Sequence, residues 1–233
     1  MTVNGCSMSV GTRLRLAAFD LDGTLLDSAN SIVSGVMACW EACGYPRPDP
    51  DQVKKIIGLP WDESVRLLMP GAGDAEFAEI RAYHEAVFRG ERPRPSREEN
   101  LFPGVVQMLD AVEETGYLLA IITSRSGNRL FELLESQNIH KRFVSLKTTD
   151  NGPGKPNPFL MLQTLDETGV DKQDAIMVGD TTFDVQMARN AGTSAIGVTW
   201  GVHQASELRD AGAHHIAKSM EEILPFMDRL VPG

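Results

Sequence analysis

Residues 14–25 read LRLAAFDLDGTL, a short apolar run from Leu14 to Phe19 that ends in two carboxylates two positions apart. In an extended segment residues i and i+2 point the same way, so Asp20 and Asp22 face one site. Like charges that close resist simultaneous ionisation unless a cation or a shared proton relieves them. The pair therefore calls for a metal ion or for acid/base work where a buried strand runs out.

Beyond this strand the pattern changes. From Ser28 to Cys43, residues Ile32, Val33, Val36, Met37, Trp40 and Cys43 recur at helical spacing, and Gly44 stands where a helix stops. Further helices are predicted at Asp51 to Ile57, Trp61 to Met69 and Asp74 to Phe88, with nothing between them that resembles a strand. Then the reading alternates. Helices at Val105 to Glu114, Asn128 to Gln137, Pro158 to Glu167 and Phe183 to Asn190 separate strands at Tyr117 to Thr123, Phe143 to Leu146, Ala175 to Val178 and Ala195 to Val198. A weaker strand, His215 to Ala217, precedes a last helix, Met220 to Leu230. Strands apolar on both faces that alternate with helices predict an α/β fold, a Rossmann-like doubly wound parallel sheet. Residues 13–27 and 101–233 make that core, residues 28–100 are an inserted all-helical cap domain, and residues 1–12 are a disordered tail.

Composition narrows the function classes. With 233 residues and 42% hydrophobic content there is enough for one core plus a smaller partner. A net charge of −10 argues against a nucleic-acid partner, which requires a basic face. It also means that any attraction for an anionic substrate is local. Cys6, Cys39 and Cys43 give no CxxC pair and no disulfide framework, and the latter two, one helical turn apart, read as small apolar side chains. The first dozen residues lack the basic and apolar regions of a signal peptide, and no apolar run approaches membrane-spanning length. The expectation is a cytoplasmic chain with no membrane partner, a monomer or a homodimer.

In an open α/β sheet the binding crevice lies at the carboxyl ends of the strands. The residues just past the predicted strands are Asp20 and Asp22, then Thr123-Ser124-Arg125, then Gly179-Asp180-Thr181-Thr182-Phe183-Asp184. Lys155, in GPGKPNP, precedes a helix. A carboxylate can attack phosphorus and split one hard displacement into two easier ones, and Asp20 is placed for that. Asp180 is the natural second carboxylate for Mg²⁺, which phosphoryl transfer uses to neutralise charge. Lys155 offsets charge on the phosphoryl oxygens, while the Thr123 hydroxyl and backbone amides near Gly23 donate to them. Asp22, if its proton is retained beside Asp20, can protonate the leaving oxygen and afterwards take a proton from the attacking water.

In DLDGTL at Asp20 to Leu25, the strand-end Thr123, GKPNP around Lys155 and GDTTFD at Gly179 to Asp184, in that order, the chain resembles the haloacid dehalogenase superfamily of aspartate-nucleophile phosphohydrolases. PGV at Pro103 to Val105, and ARNAG followed by IGVTWG up to Gly201, look like its phosphoglycolate-phosphatase-like branch with a small helical cap. The resemblance implies that Asp20 is nucleophile and Mg²⁺ ligand, and that Asp22 is the acid/base, with its backbone carbonyl also on the metal. It implies Asp180 as a further ligand, Gly179 and Asp184 as supports, and Thr123 and Lys155 as holders of the phosphoryl group. Gly23, Thr24, Ser124 and Arg125 fall on the phosphate and substrate side, and the substrate is a small phosphorylated metabolite, phosphoglycolate-like or a sugar phosphate.

Many members carry TNK where this chain has Thr123-Ser124-Arg125, and arginine's planar fork is not lysine's point charge. Gly58-Leu59-Pro60 resembles the cap loop that dips toward the site, and Arg66 is a candidate contact for a substrate anion. Three alternatives stand beside the phosphatase. A phosphosugar mutase is expected to carry an acidic residue in place of Gly179. A receiver-like signalling domain would be shorter and lack the helical insertion. A non-catalytic phosphate-binding protein would share all four motifs.

Overall fold

The structure is a computed structural model that describes residues 13–92 and 99–233. The tail expected over residues 1–12 lies outside the described residues. In chain order the strands are β1 (Arg15–Phe19), β2 (Leu26–Asp27), β3 (Asn100–Leu101), β4 (Tyr117–Ile122), β5 (Phe143–Lys147), β6 (Ala175–Gly179), β7 (Ser194–Val198) and β8 (His215–Ala217). The helices are α1 (Ala29–Ala42), α2 (Pro50–Lys55), α3 (Trp61–Leu68), α4 (Asp74–Phe88), α5 (Val105–Glu114), α6 (Gly127–Ser136), α7 (Phe159–Thr168), α8 (Thr182–Ala191), α9 (Ala205–Asp210) and α10 (Ile223–Leu230).

Six strands form an all-parallel sheet in the order β5-β4-β1-β6-β7-β8. Side chains alternate between the two faces of β1 as a period of two requires. Ala17 and Phe19 pack with Val105, Leu109 and Val112 of α5 and with Ile223 and Met227 of α10. Leu16 and Ala18 pack on the other face with Leu160 and Met161 of α7 and with Val185, Met187 and Ala188 of α8. Both faces are therefore covered, which is why the strands read as continuous apolar runs rather than as alternation.

Helices α1 to α4 gather round a third cluster of their own, Val36, Cys39, Trp40, Val53, Val65 and Ile80. Cys39 sits buried inside it as a small apolar side chain. The chain leaves the sheet for these helices and returns through β2 and β3, which pair antiparallel with Leu26 opposite Leu101 and Asp27 opposite Asn100. Two elements differ from the sequence reading. The β2–β3 ribbon is two residues long on each side, too short for any periodicity. Helix α9 buries only Leu208 fully, so it shows no apolar stripe. Among the described residues no helix is long and apolar enough to cross a membrane.

Candidate active site

The site lies where β1, β4 and β6 end. Phe19 is level with Ile121 on one side and Val178 on the other, so Asp20, Thr123 and Asp180 leave neighbouring strands at one height. This is also where the strand order reverses, the place at which open α/β sheets form a crevice. Close backbone approach needs glycine here. Gly23 turns with φ +83°, and a Cβ on it would overlap the Asp180 carboxylate. A Cβ on Gly179 would collide with the Asp184 side chain.

Lys155 is completely buried, with its ammonium 2.5 Å from Asp20 Oδ1 and 2.6 Å from Asp184 Oδ1. The other oxygen of Asp184 closes a capping box at the start of α8, accepting from the Thr181 N–H at 3.1 Å and the Thr181 hydroxyl at 2.6 Å. Asp180 accepts from the Thr24 hydroxyl and from the Val202 N–H, each at 2.9 Å. Burial pushes the Asp20 carboxyl well above its ordinary range, with the charges of Asp184 and Asp180 adding to the rise and Lys155 opposing it. Burial and Asp184 push Asp180 up to about 7, against the hydrogen bonds from Val202 and Thr24. For Lys155 burial acts downward, but Asp184 and Asp20 outweigh it and keep the ammonium charged.

Oxygens of Asp20, Asp180 and Asp184 lie within 4.8 Å of one another, and all three residues are buried. Asp20 Oδ2 is buried with no hydrogen-bond partner. An anionic, all-oxygen donor set with an orphaned carboxylate oxygen and a single ammonium to balance it fits a hard divalent cation such as Mg²⁺. Asp184, expected only as a support, contributes its carboxylate to this group.

Asp22 sits differently from the expectation. Its carboxylate accepts from the Ser28 hydroxyl at 2.5 Å, from Arg125 Nε at 2.6 Å and from a second guanidinium nitrogen of Arg125. Burial alone would raise its pKa, but the charge and hydrogen bonds of Arg125 and the bond from Ser28 hold it below the ordinary carboxylate range. This partner set works against the proton that the acid role of Asp22 requires. Of this pair the carboxyl with raised proton affinity is Asp20, because burial, together with the charges of Asp184 and Asp180, outweighs the opposing effect of Lys155.

Three residues expected on the phosphate side are engaged elsewhere. The Thr24 hydroxyl is on Asp180, the Ser124 hydroxyl donates to the Gly58 carbonyl at 2.5 Å, and Arg125 bridges Asp22 and Glu99, the latter at 2.8 Å. Their short polar or forked side chains found buried acceptors that the sequence does not place beside them. Thr123 Oγ1 accepts from the Arg125 N–H at 3.2 Å, which leaves its own hydrogen to donate at the rim. Arg66 lies over the Phe77 ring, 4.9 Å from its centroid. Since breaking one side of a buried ion pair strands the other charge, Arg125→Ala is expected to cost about 3–5 kcal/mol. Urea denaturation checks this, and Arg125→Lys should recover part of the loss.

The loop carrying Gly58-Leu59-Pro60 does reach the rim. Besides the bond to Ser124, a Cβ on Gly58 would sit 3.2 Å from Thr181. His203, which the sequence reading passed over, ties the same two bodies together. Its Nδ1 accepts from the Thr182 N–H at 3.0 Å, so Nε2 carries the hydrogen and donates to the Lys55 carbonyl at 3.1 Å. Its position just past the β7 end, two residues after Gly201, was the available signal. A cavity of about 450 Å³ opens at Asp22, Ser124 and Arg125 and runs up among α1, α3 and α4.

With this geometry in view, similarity to known proteins is informative. A family model described as haloacid dehalogenase-like hydrolase matches residues 17–198. A protein of Dickeya dadantii named "Probable phosphatase IndB" is 35% identical over 212 residues, 90% of this chain and 91% of that protein. A phosphoglycolate phosphatase of Vibrio parahaemolyticus is 29% identical over 217 residues, 91% of this chain and 95% of its own. The solved structure of a haloacid dehalogenase-like hydrolase from Streptococcus pneumoniae superposes with a TM-score of 0.76 at 26% identity, over 91% of this chain and 98% of that one.

Proposed function

The chain belongs to the haloacid dehalogenase-like hydrolase family, and from that membership we propose that it is a Mg²⁺-dependent phosphatase that hydrolyses a small phosphomonoester through an aspartyl-phosphate on Asp20. The observation that carries this reading is the Asp20 carboxylate, held through one oxygen by Lys155 while the other has no partner at the end of β1. On this reading residues 28–100 act as a cap over the site. The chain works in the cytoplasm, as a monomer or a homodimer, and names of relatives put phosphoglycolate among the first esters to try.

In the first displacement Asp20 Oδ2 attacks phosphorus, the bond from phosphorus to the alcohol oxygen breaks, and that oxygen takes a proton from Asp22. In the second, water attacks the phosphorus of the acyl phosphate, Asp22 takes the proton released, and Asp20 leaves as a free carboxylate while phosphate departs. Arg125 and Ser28 lower the proton affinity of Asp22 against the effect of burial, which favours its role as base in the second step. To serve as the acid in the first step it takes up a proton as the Arg125 pair loosens. Lys155, the Thr123 hydroxyl and N–H groups near Gly23 hold the phosphoryl oxygens through both steps. Mg²⁺, held by Asp20, Asp180 and the Asp22 carbonyl with Asp184 close by, would supply the remaining charge neutralisation.

Chelation tests this reading. EDTA is expected to abolish hydrolysis and excess Mg²⁺ to restore it. Mg²⁺ at a hundred times its Kd should also stabilise the fold by about 2.7 kcal/mol, visible as a rise of several degrees in Tm. Hydrolysis that continues undiminished in EDTA would sink the cofactor assignment.

A further inference from the structure

The cavity that opens beside Asp22 is a poor match for a short acidic leaving group. At about 450 Å³ it falls in the range of sites that enclose ring-sized ligands, and glycolate would leave most of it unfilled. Its wall is largely apolar, with Ile32 and Val36 from α1, Ile57 and Leu59 from the loop, Trp61 from α3 and Tyr83 from α4. The Trp61 ring is itself fixed, stacked on His84 with centroids 3.6 Å apart and planes 8° from parallel. Such a wall rewards apolar area brought out of water.

The charges in the wall lead to the same conclusion. Three arginines line it among the described residues, and each already faces a carboxylate. Arg89 pairs with Glu91 at 2.7 Å and with Glu85 at 3.6 Å. Arg125 is held by Asp22 and Glu99, and Arg129 lies 3.8 Å from Glu99. A second anionic group on the substrate would compete with these carboxylates for guanidinium groups whose charge is already balanced, and in the Arg125 case would strand a buried acid. An uncharged leaving group requires no such exchange.

We propose that the preferred substrate is a phosphomonoester whose leaving alcohol is uncharged and carries an apolar ring-sized body, lodged between α1, Leu59 and Tyr83. The proposal rests on the phosphatase reading and narrows it: the phosphoryl group sits at Asp20 and the alcohol fills the cavity. Gly35 lies within α1 and lines the cavity, so a larger side chain there adds bulk to the cavity wall.

The test compares 2-phenylethyl phosphate with phosphoglycolate. For the wild type, kcat/KM is expected to favour the phenylethyl ester by at least about tenfold, the scale on which a pocket reads small apolar differences. Gly35→Leu is expected to reduce that ratio by a similar factor. In parallel, calorimetry with Asp20→Asn protein should show the phenylethyl ester binding at least about tenfold more tightly than phosphoglycolate. Hydrolysis of phosphoglycolate at equal or better kcat/KM would overturn the proposal while leaving the phosphatase reading intact. If neither ester is hydrolysed, the rates do not bear on the cavity. Calorimetry then decides the cavity separately: tighter binding of the phenylethyl ester upholds its assignment, and equal or weaker binding overturns it.

Discussion

Asp20→Asn is expected to lower kcat/KM by about a thousandfold or more on every phosphomonoester the wild type accepts, since the amide is no nucleophile toward phosphorus. The same substitution should not lower Tm. Asp20, Asp180 and Asp184 crowd one buried ammonium, and replacing one carboxylate with a neutral side chain of the same shape removes like-charge repulsion. Lys155 keeps Asp184 as a partner at 2.6 Å. Activity assays and thermal melts on the same preparation separate a chemical loss from a folding loss. A melt as high as the wild type with activity intact would remove Asp20 from the chemistry.

Lys155→Met is expected to destabilise the fold as strongly as Arg125→Ala. It replaces a completely buried ammonium with an apolar chain of similar length and leaves three buried acids with no internal cation. Breaking a buried pair in this way costs about 3–5 kcal/mol, or about 10 °C in Tm for a chain of this size. Mg²⁺ should recover part of the loss if the acidic group takes a divalent cation, which turns the melt into a second test of that fit. Equal melting of variant and wild type without metal would mean that Lys155 does not balance the cluster.

Much of the architecture was legible because its signals are periodic and repeated. The switch from the run at Leu14 to Phe19, through helical spacing at Ile32 to Cys43, to strict alternation after Val105 fixes a parallel sheet with a helical insertion. The rim followed from topology, since strand ends share an edge. Pairing between distant side chains was not legible. That Arg125 would meet Asp22 across 103 positions, or Thr24 meet Asp180 across 156, has no local signature. The same is true of protonation: Asp20 and Asp22 look equivalent in sequence, and only their partners, a shared lysine and a bidentate arginine, separate them. His203 and the two-residue β2–β3 ribbon were missed for a related reason, because their meaning lies in what they join.

The central claim is that the phosphoryl group passes through a covalent bond to Asp20. The most direct measurement is peptide mapping by mass spectrometry of the wild-type chain, quenched in acid while product is still accumulating and reduced with borohydride, which converts an aspartyl phosphate to homoserine as phosphate leaves. The account predicts that the modified side chain is the one at position 20 and that Asp22, Asp180 and Asp184 are untouched. Homoserine at any other aspartate position, or a chain that stays unmodified during turnover, would contradict it.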